Sequence, residues 1–152
     1  MSQNDLHPEQ FYGAWTLLDW RIGYSDGKIT RPFGDGAVGQ ILYTPGGAMS
    51  ATVSRPSRTK LSQSNVRHAS EQDKAESFDS YFHYAGTWDL VDKTIVHTVE
   101  FSMNPNMVGT QQIRKAELKT PNNLVLSAFE PLKNGRQRHH ILEWKRANKR
   151  PL

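Results

Sequence analysis

Strand alternation places two basic side chains, His97 and Arg114, on the apolar faces of neighbouring segments. In Ile95-Val96-His97-Thr98-Val99-Glu100-Phe101, period two groups Ile95, His97, Val99 and Phe101 and turns Thr98 and Glu100 the other way. In Gln111-Gln112-Ile113-Arg114-Lys115-Ala116-Glu117-Leu118, one face carries Gln112, Arg114, Ala116 and Leu118. The Asn104-Pro105-Asn106 core between the segments breaks a ladder and favours a turn. If Ser102 faces Gly109, His97 faces Arg114 with side chains about 5 Å apart. A register shifted by two residues makes them diagonal neighbours, whereas a one-residue slip turns an apolar face outward. Two basic groups on a buried surface call for a carboxylate from elsewhere in the chain or an anionic ligand.

A neutral imidazole can take and give a proton near neutral pH, which makes His97 the candidate acid or base. A guanidinium can hold a carboxylate or enolate through two parallel hydrogen bonds and lower the pKa of a nearby imidazole, so Arg114 is the candidate anchor. These two form the predicted catalytic pair. The structural alternatives are a buried histidine bonded to a neighbouring strand and an arginine in an internal salt bridge.

The elements that must position this pair read as strands and turns. Gly13 to Tyr24 is a long first strand with apolar groups on both parities, so it changes faces at a bulge or bends around a corner. Val38-Tyr43 and Ala48-Val53, joined by Thr44-Pro45-Gly46-Gly47, form a hairpin. After a polar loop, Ser70-Glu71-Gln72-Asp73 reads as a capping box. Ala75, Phe78, Phe82 and Ala85 recur at helical spacing, predicting one helix near residues 71–85 that stops at Gly86. Further strands follow at 87–91, 94–102, 110–118, 124–129 and 137–145. The sum is an all-β meander of about eight or nine antiparallel strands and one helix. Single aromatic residues spread over nearly every strand favour a closed up-and-down barrel with an internal cavity, the helix capping one end.

Within such a barrel, Tyr43 and Tyr84 are the phenols expected to reach the lumen and orient a ligand carbonyl or hydroxyl. Trp88 and Trp144 are expected wall residues, and Met49, Phe101 and Gln112 complete the expected ligand-binding set. Arg55, between the hairpin and Pro56, belongs near a barrel mouth, where it could attract an anion. His139 and His140 are adjacent on a strand and point to opposite faces, so they cannot both chelate one ion from within; no metal site is expected. Asp73, Glu76 and Asp79 read as solvated charge. There is no glycine-rich phosphate loop and no serine nucleophile motif, and no cofactor is expected.

Composition narrows the classes further. The 152 residues fit one domain, read as a polar lead over 1–10, a barrel over 11–146 and a basic tail over 147–152. The absence of cysteine removes disulfides and thiolate chemistry, which suits a reducing cytoplasm. The start has no signal-like apolar core, and no run approaches the roughly 20 apolar residues of a spanning helix, so a cytoplasmic protein away from membranes is expected. The net charge of +4 is modest and partly concentrated at the ends of the last strand, which argues against a nucleic-acid partner; a homodimer is compatible with the sequence.

The order of motifs resembles the bacterial and fungal lipocalin-like domain family. The resemblance runs through Gly13-Ala14-Trp15, Arg31-Pro32-Phe33-Gly34, Gly39-Gln40-Ile41-Leu42-Tyr43-Thr44, Gly47-Ala48-Met49-Ser50 and Arg55-Pro56. It continues through Tyr81-Phe82-His83-Tyr84-Ala85-Gly86, His97-Thr98-Val99-Glu100, Pro105 to Thr110, Arg114 and Leu142-Glu143-Trp144. Met107 departs from the tryptophan expected there in many relatives. The resemblance implies a calycin-like barrel that binds a small, largely apolar molecule. It also implies that Trp15 closes the barrel bottom against Arg146 or Lys145 of the last strand. Three functions follow as expectations: cofactor-free isomerisation, tautomerisation or cyclisation of a hydrophobic or weakly anionic molecule bearing a carbonyl or carboxylate; non-catalytic carriage of such a molecule; and, last, an interaction module using the basic rim.

Overall fold

Alternation is carried through nine strands: β1 (Gly13–Tyr24), β2 (Ile29–Thr30), β3 (Val38–Tyr43), β4 (Ala48–Ser54), β5 (Tyr81–Val91), β6 (Thr94–Ser102), β7 (Gln111–Thr120), β8 (Asn123–Pro131) and β9 (Gln137–Arg146). The computed structural model describes residues 5–148; the first four residues of the polar lead and the last four of the basic tail lie outside the described residues. Every pairing is antiparallel, in the order β2-β1-β3-β4-β5-β6-β7-β8-β9, and β1 also pairs with β9. That last pairing closes eight strands into a barrel, with β2 as a short arm folded back on β1. The predicted face change in β1 is a bulge between Leu17 and Asp19, which leaves Leu18 outside while Trp15, Leu17 and Ile22 are buried.

One end of the barrel is filled. Phe11, Trp15, Tyr43, Trp88, Ile95 and Val99 are buried there. The Trp15 indole donates to the Phe11 carbonyl at 3.0 Å, and the Trp88 indole to the Thr44 carbonyl at 3.0 Å. Arg146, rather than Lys145, closes this end: its guanidinium lies 4.2 Å from the Trp15 ring centroid and donates to the carbonyls of Tyr12, Gln10 and Pro121.

The helix, α1 (Glu71–Asp79), begins as predicted, with Ser70 Oγ accepting from the Asp73 amide at 3.1 Å. It ends before the predicted stop. From Tyr81 the chain pairs with β4 and then β6, and at period two Phe82 shares the inner face with Tyr84 while Ala85 falls on the other. Phe82 and Ala85 are therefore strand residues, and α1 lies within the β4–β5 connection, at the rim of the other end, with no residue buried.

Gly86 has a different role from a helix stop. Between Ala85 and Gly86 the β5–β6 register shifts by one residue at Glu100, and a Cβ on Gly86 would overlap the Thr98 carbonyl oxygen. The bulge reverses the faces beyond it. Val99 stays inside, but Phe101, expected inside, is 66% exposed.

The β6–β7 register differs by two residues from the one that sets Ser102 opposite Gly109. His97 faces Gln112, and Arg114 faces Ile95. The cause is the connection: Asn104 caps a short helical turn over Pro105–Met107, and the Gly109 amide then turns back to the Val99 carbonyl at 2.8 Å. His97 and Arg114 are thus diagonal neighbours on the inner face. On the far side of β7, pairing with β8 extends only from Thr120↔Asn123 to Lys115↔Ser127.

Candidate functional site

Above the filled end lies a cavity of about 570 Å³. Inward positions on β3, β4, β5, β8 and β9 give it an apolar wall, including Ile41, Val53, Phe82, Leu126 and Leu142. Polar groups are few: Tyr84, His97, Gln112, Arg114 and Trp144 in the depth, and Glu130 and His140 toward the mouth. A mostly apolar concavity with a handful of fixed polar groups has the composition of a small-molecule site.

His97 is at the centre, 1% exposed, on the inner face of β6. Its Nε2 lies 2.7 Å from Tyr43 Oη and its Nδ1 2.6 Å from Tyr84 Oη. Burial, and then the nearby Arg114 charge, pull its pKa down to about 3, so the imidazole is neutral. Burial raises the pKa of both phenols, well above the usual tyrosine value for Tyr43, so both keep their protons. The trio holds three hydrogens for two hydrogen bonds. Tyr43 is sealed, and among the described residues His97 is its hydrogen-bond partner, so its O–H must point at Nε2 or go unsatisfied. With Nε2 accepting, Nδ1 carries the hydrogen and donates to Tyr84. The Tyr84 O–H is then the spare donor, and Tyr84 is the phenol that lines the cavity.

Two further donors face the same space. The Trp144 indole Nε1 is buried without a hydrogen-bond partner among the described residues. Arg114 donates to the Ile113 carbonyl at 3.0 Å and the Gln112 amide oxygen at 3.4 Å, and among the described residues it forms no ion pair with a carboxylate. A cation and two neutral donors converge on an apolar space whose depth offers no acid.

Of the sequence-predicted residues, the structure brings His97, Arg114, Tyr84, Gln112 and Trp144 to the lumen, with Tyr43 directly behind His97. Four others lie elsewhere. Met49 and Trp88 are buried in the filled end, where Trp88 packs on Tyr43 with centroids 4.8 Å apart. Phe101 is turned out by the bulge. Arg55 lies outside the lumen, over the Phe33 ring at 5.5 Å and near the Pro32 carbonyl, because Ser54 ends the strand that could have aimed it inward. Met107, in the turn between β6 and β7, does line the cavity.

Sequence reasoning missed the mouth. Trp20 donates to His140 Nδ1 at 3.3 Å, His140 Nε2 donates to Glu130 Oε2 at 2.7 Å, and Arg138 donates to Glu130 Oε1 at 2.7 Å. The Glu130 carboxyl is held below its usual range, first by the His140 hydrogen bond and then by Arg138. Parity on β8 and β9 could have placed Glu130, Arg138 and His140 on one face. His139 points the other way and stacks on Phe129 with centroids 4.1 Å apart.

A closed eight-stranded antiparallel barrel, plugged at one end and hollow at the other, defines a lipocalin-like architecture. The lipocalin-like domain model matches residues 12–147, and the chain belongs to that family. The chain is similar to a 4'-hydroxy-3'-methoxypropiophenone carrier protein, ppsC, of Aspergillus oryzae, at 28% identity over 64% of this chain and 96% of the relative. Among solved structures it is similar to a redesigned β-barrel at TM-score 0.43 and 11% identity, covering 93% of this chain and 95% of that one. It is also similar to a de novo designed fluorescence-activating barrel at TM-score 0.42 and 13% identity, covering 92% and 96%.

Proposed function

We propose that the barrel binds and carries a small, largely apolar molecule, an aromatic ketone or a close relative, with its carbonyl oxygen on the Tyr84 hydroxyl and within the field of Arg114. The observation that carries this reading is the spare Tyr84 O–H in a mostly apolar cavity that also holds a guanidinium without a carboxylate partner among the described residues. A ligand oxygen is an acceptor and satisfies these donors, whereas water in an apolar space satisfies them poorly. The carrier relative supports the ligand class, since an aryl ketone combines a flat apolar body with one strong acceptor.

Carriage is favoured over catalysis by the state of His97. Both ring nitrogens are engaged by phenols, and a pKa of about 3 makes the imidazole a weak base at neutral pH. His97 fixes Tyr84, and both its ring nitrogens are already engaged.

Titration with 4'-hydroxy-3'-methoxypropiophenone, followed by the ¹⁵N–¹H signal of the Trp144 indole, tests the reading. Saturable one-to-one binding that shifts this signal is expected. Absence of binding, or binding that leaves the Trp144 signal unmoved, would overturn it.

A further inference from the structure

The barrel wall has a seam. Pairing of β7 with β8 stops at Lys115↔Ser127, yet β7 continues along β6 to Thr98↔Gln111, and β8 continues along β9 to Pro131↔Gln137. Toward the mouth the two strands are each held by their outer neighbour and not by each other. The β8 side is fixed further by the chain of hydrogen bonds from Trp20 through His140 to Glu130. Pro131 has no N–H to offer across the gap.

The cavity reaches this seam. Its lining includes Ala128, Phe129, Glu130 and Pro131 in succession. In a paired ladder, alternation gives the lumen every second residue; four in a row border it here, as where the edge of a strand is open to the cavity. Gln112 and Arg114 face the same space from β7. On the outside, continuing the Lys115↔Ser127 register by two residues sets Ile113 opposite Phe129. Both are large, apolar and exposed, 57% and 64% respectively.

We propose that the β7–β8 seam is the portal through which the ligand enters and leaves, with Ile113 and Phe129 as its apolar lips and Arg114 just inside to meet the ligand oxygen. The proposal rests on the reading that the lumen holds an aromatic carbonyl compound. It assigns the exposed pair a task that burial does not explain: an apolar body can pass between two apolar side chains in the wall rather than over the open end of the barrel.

The chain has no cysteine, so an Ile113→Cys/Phe129→Cys variant carries two unique thiols, both at exposed positions. The thiols are bridged with a short bis-maleimide, and binding of 4'-hydroxy-3'-methoxypropiophenone is followed by stopped-flow tryptophan fluorescence. The bridged protein is expected to bind and release on the order of tenfold more slowly, with Kd little changed because both rates fall together. Leu18→Cys carrying a maleimide, on the outer wall of β1, is expected to keep wild-type rates. Undiminished rates in the bridged protein, or a weakened Kd without matched slowing of both rates, would overturn the portal. If the unmodified chain binds nothing, the occupancy reading fails and the portal with it; if it binds and only the bridged kinetics disagree, the portal alone fails.

Discussion

Replacing Tyr84 with phenylalanine removes one oxygen from the cavity and leaves the ring in place. Two consequences follow from the geometry. The His97 Nδ1–H, 2.6 Å from the lost oxygen, is left buried without an acceptor, which costs about 1–3 kcal/mol of folding stability. A bound ligand loses the spare O–H donor, worth about 0.5–1.5 kcal/mol net, or about two- to twelvefold in Kd. The two effects are separated by a cycle of two proteins and two ligands: propiophenone and propylbenzene, which share a skeleton and differ in the carbonyl oxygen. Calorimetric titration of wild type and Tyr84→Phe with both should give a coupling of about 1 kcal/mol, with propylbenzene affinity nearly unchanged by the substitution. Equal losses for both ligands would show that Tyr84 acts through packing alone and would refute the donor assignment.

The hydrogen count in the trio predicts that ¹⁵N spectra of His97 at neutral pH show Nδ1 protonated and Nε2 bare, and that Tyr43→Phe abolishes this preference; a wild-type Nε2–H signal would reverse the donor order. Because the folded pKa of His97 lies near 3 and the unfolded value near 6.5, the unfolded chain takes up the proton first on acidification. The stabilisation is whole above pH 6.5 and falls by about 1.4 kcal/mol per unit as pH drops from there toward 3, so urea denaturation between pH 6 and 4.5 should show a shallower decline in His97→Gln than in wild type. Glu130, whose carboxyl is held below the usual glutamate range by His140 and Arg138, adds its own loss at the acid end of that window and below it. Gly86→Ala forces a methyl into the Thr98 carbonyl and should destabilise by more than about 3 kcal/mol or prevent folding, as read from the denaturation midpoint.

The fold was largely legible because alternation is a local property and the turns carry their own chemistry. The face change in β1, the Thr44–Gly47 hairpin and the Ser70 cap all follow from residues close in sequence. Errors arose where a decision belongs to partners far along the chain. Phe82 and Ala85 continue the helical spacing of Ala75 and Phe78, and only pairing with β4 and β6 makes them strand residues on opposite faces. Phe101 obeys parity until Glu100 bulges opposite Gly86, a close approach that no local pattern announces. The His97–Arg114 register slid by two because the Gly109 amide returns to Val99. Parity survives such a slide, so both residues stayed on the inner face while their direct opposition was lost. The Tyr43–His97–Tyr84 relay joins three strands, and the sequence contained its members without their connection. Arg146 over Trp15 was legible only through the family resemblance, which supplied two candidates and left the choice to geometry.

The most direct measurement is the ¹³C shift of propiophenone labelled at its carbonyl carbon, bound to wild type and to Tyr84→Phe. A carbonyl that accepts a hydrogen bond in the lumen moves downfield on binding wild type and loses most of that displacement in the variant. A bound ligand whose carbonyl shift is the same in both proteins would contradict the central claim that the spare Tyr84 hydrogen receives the ligand oxygen.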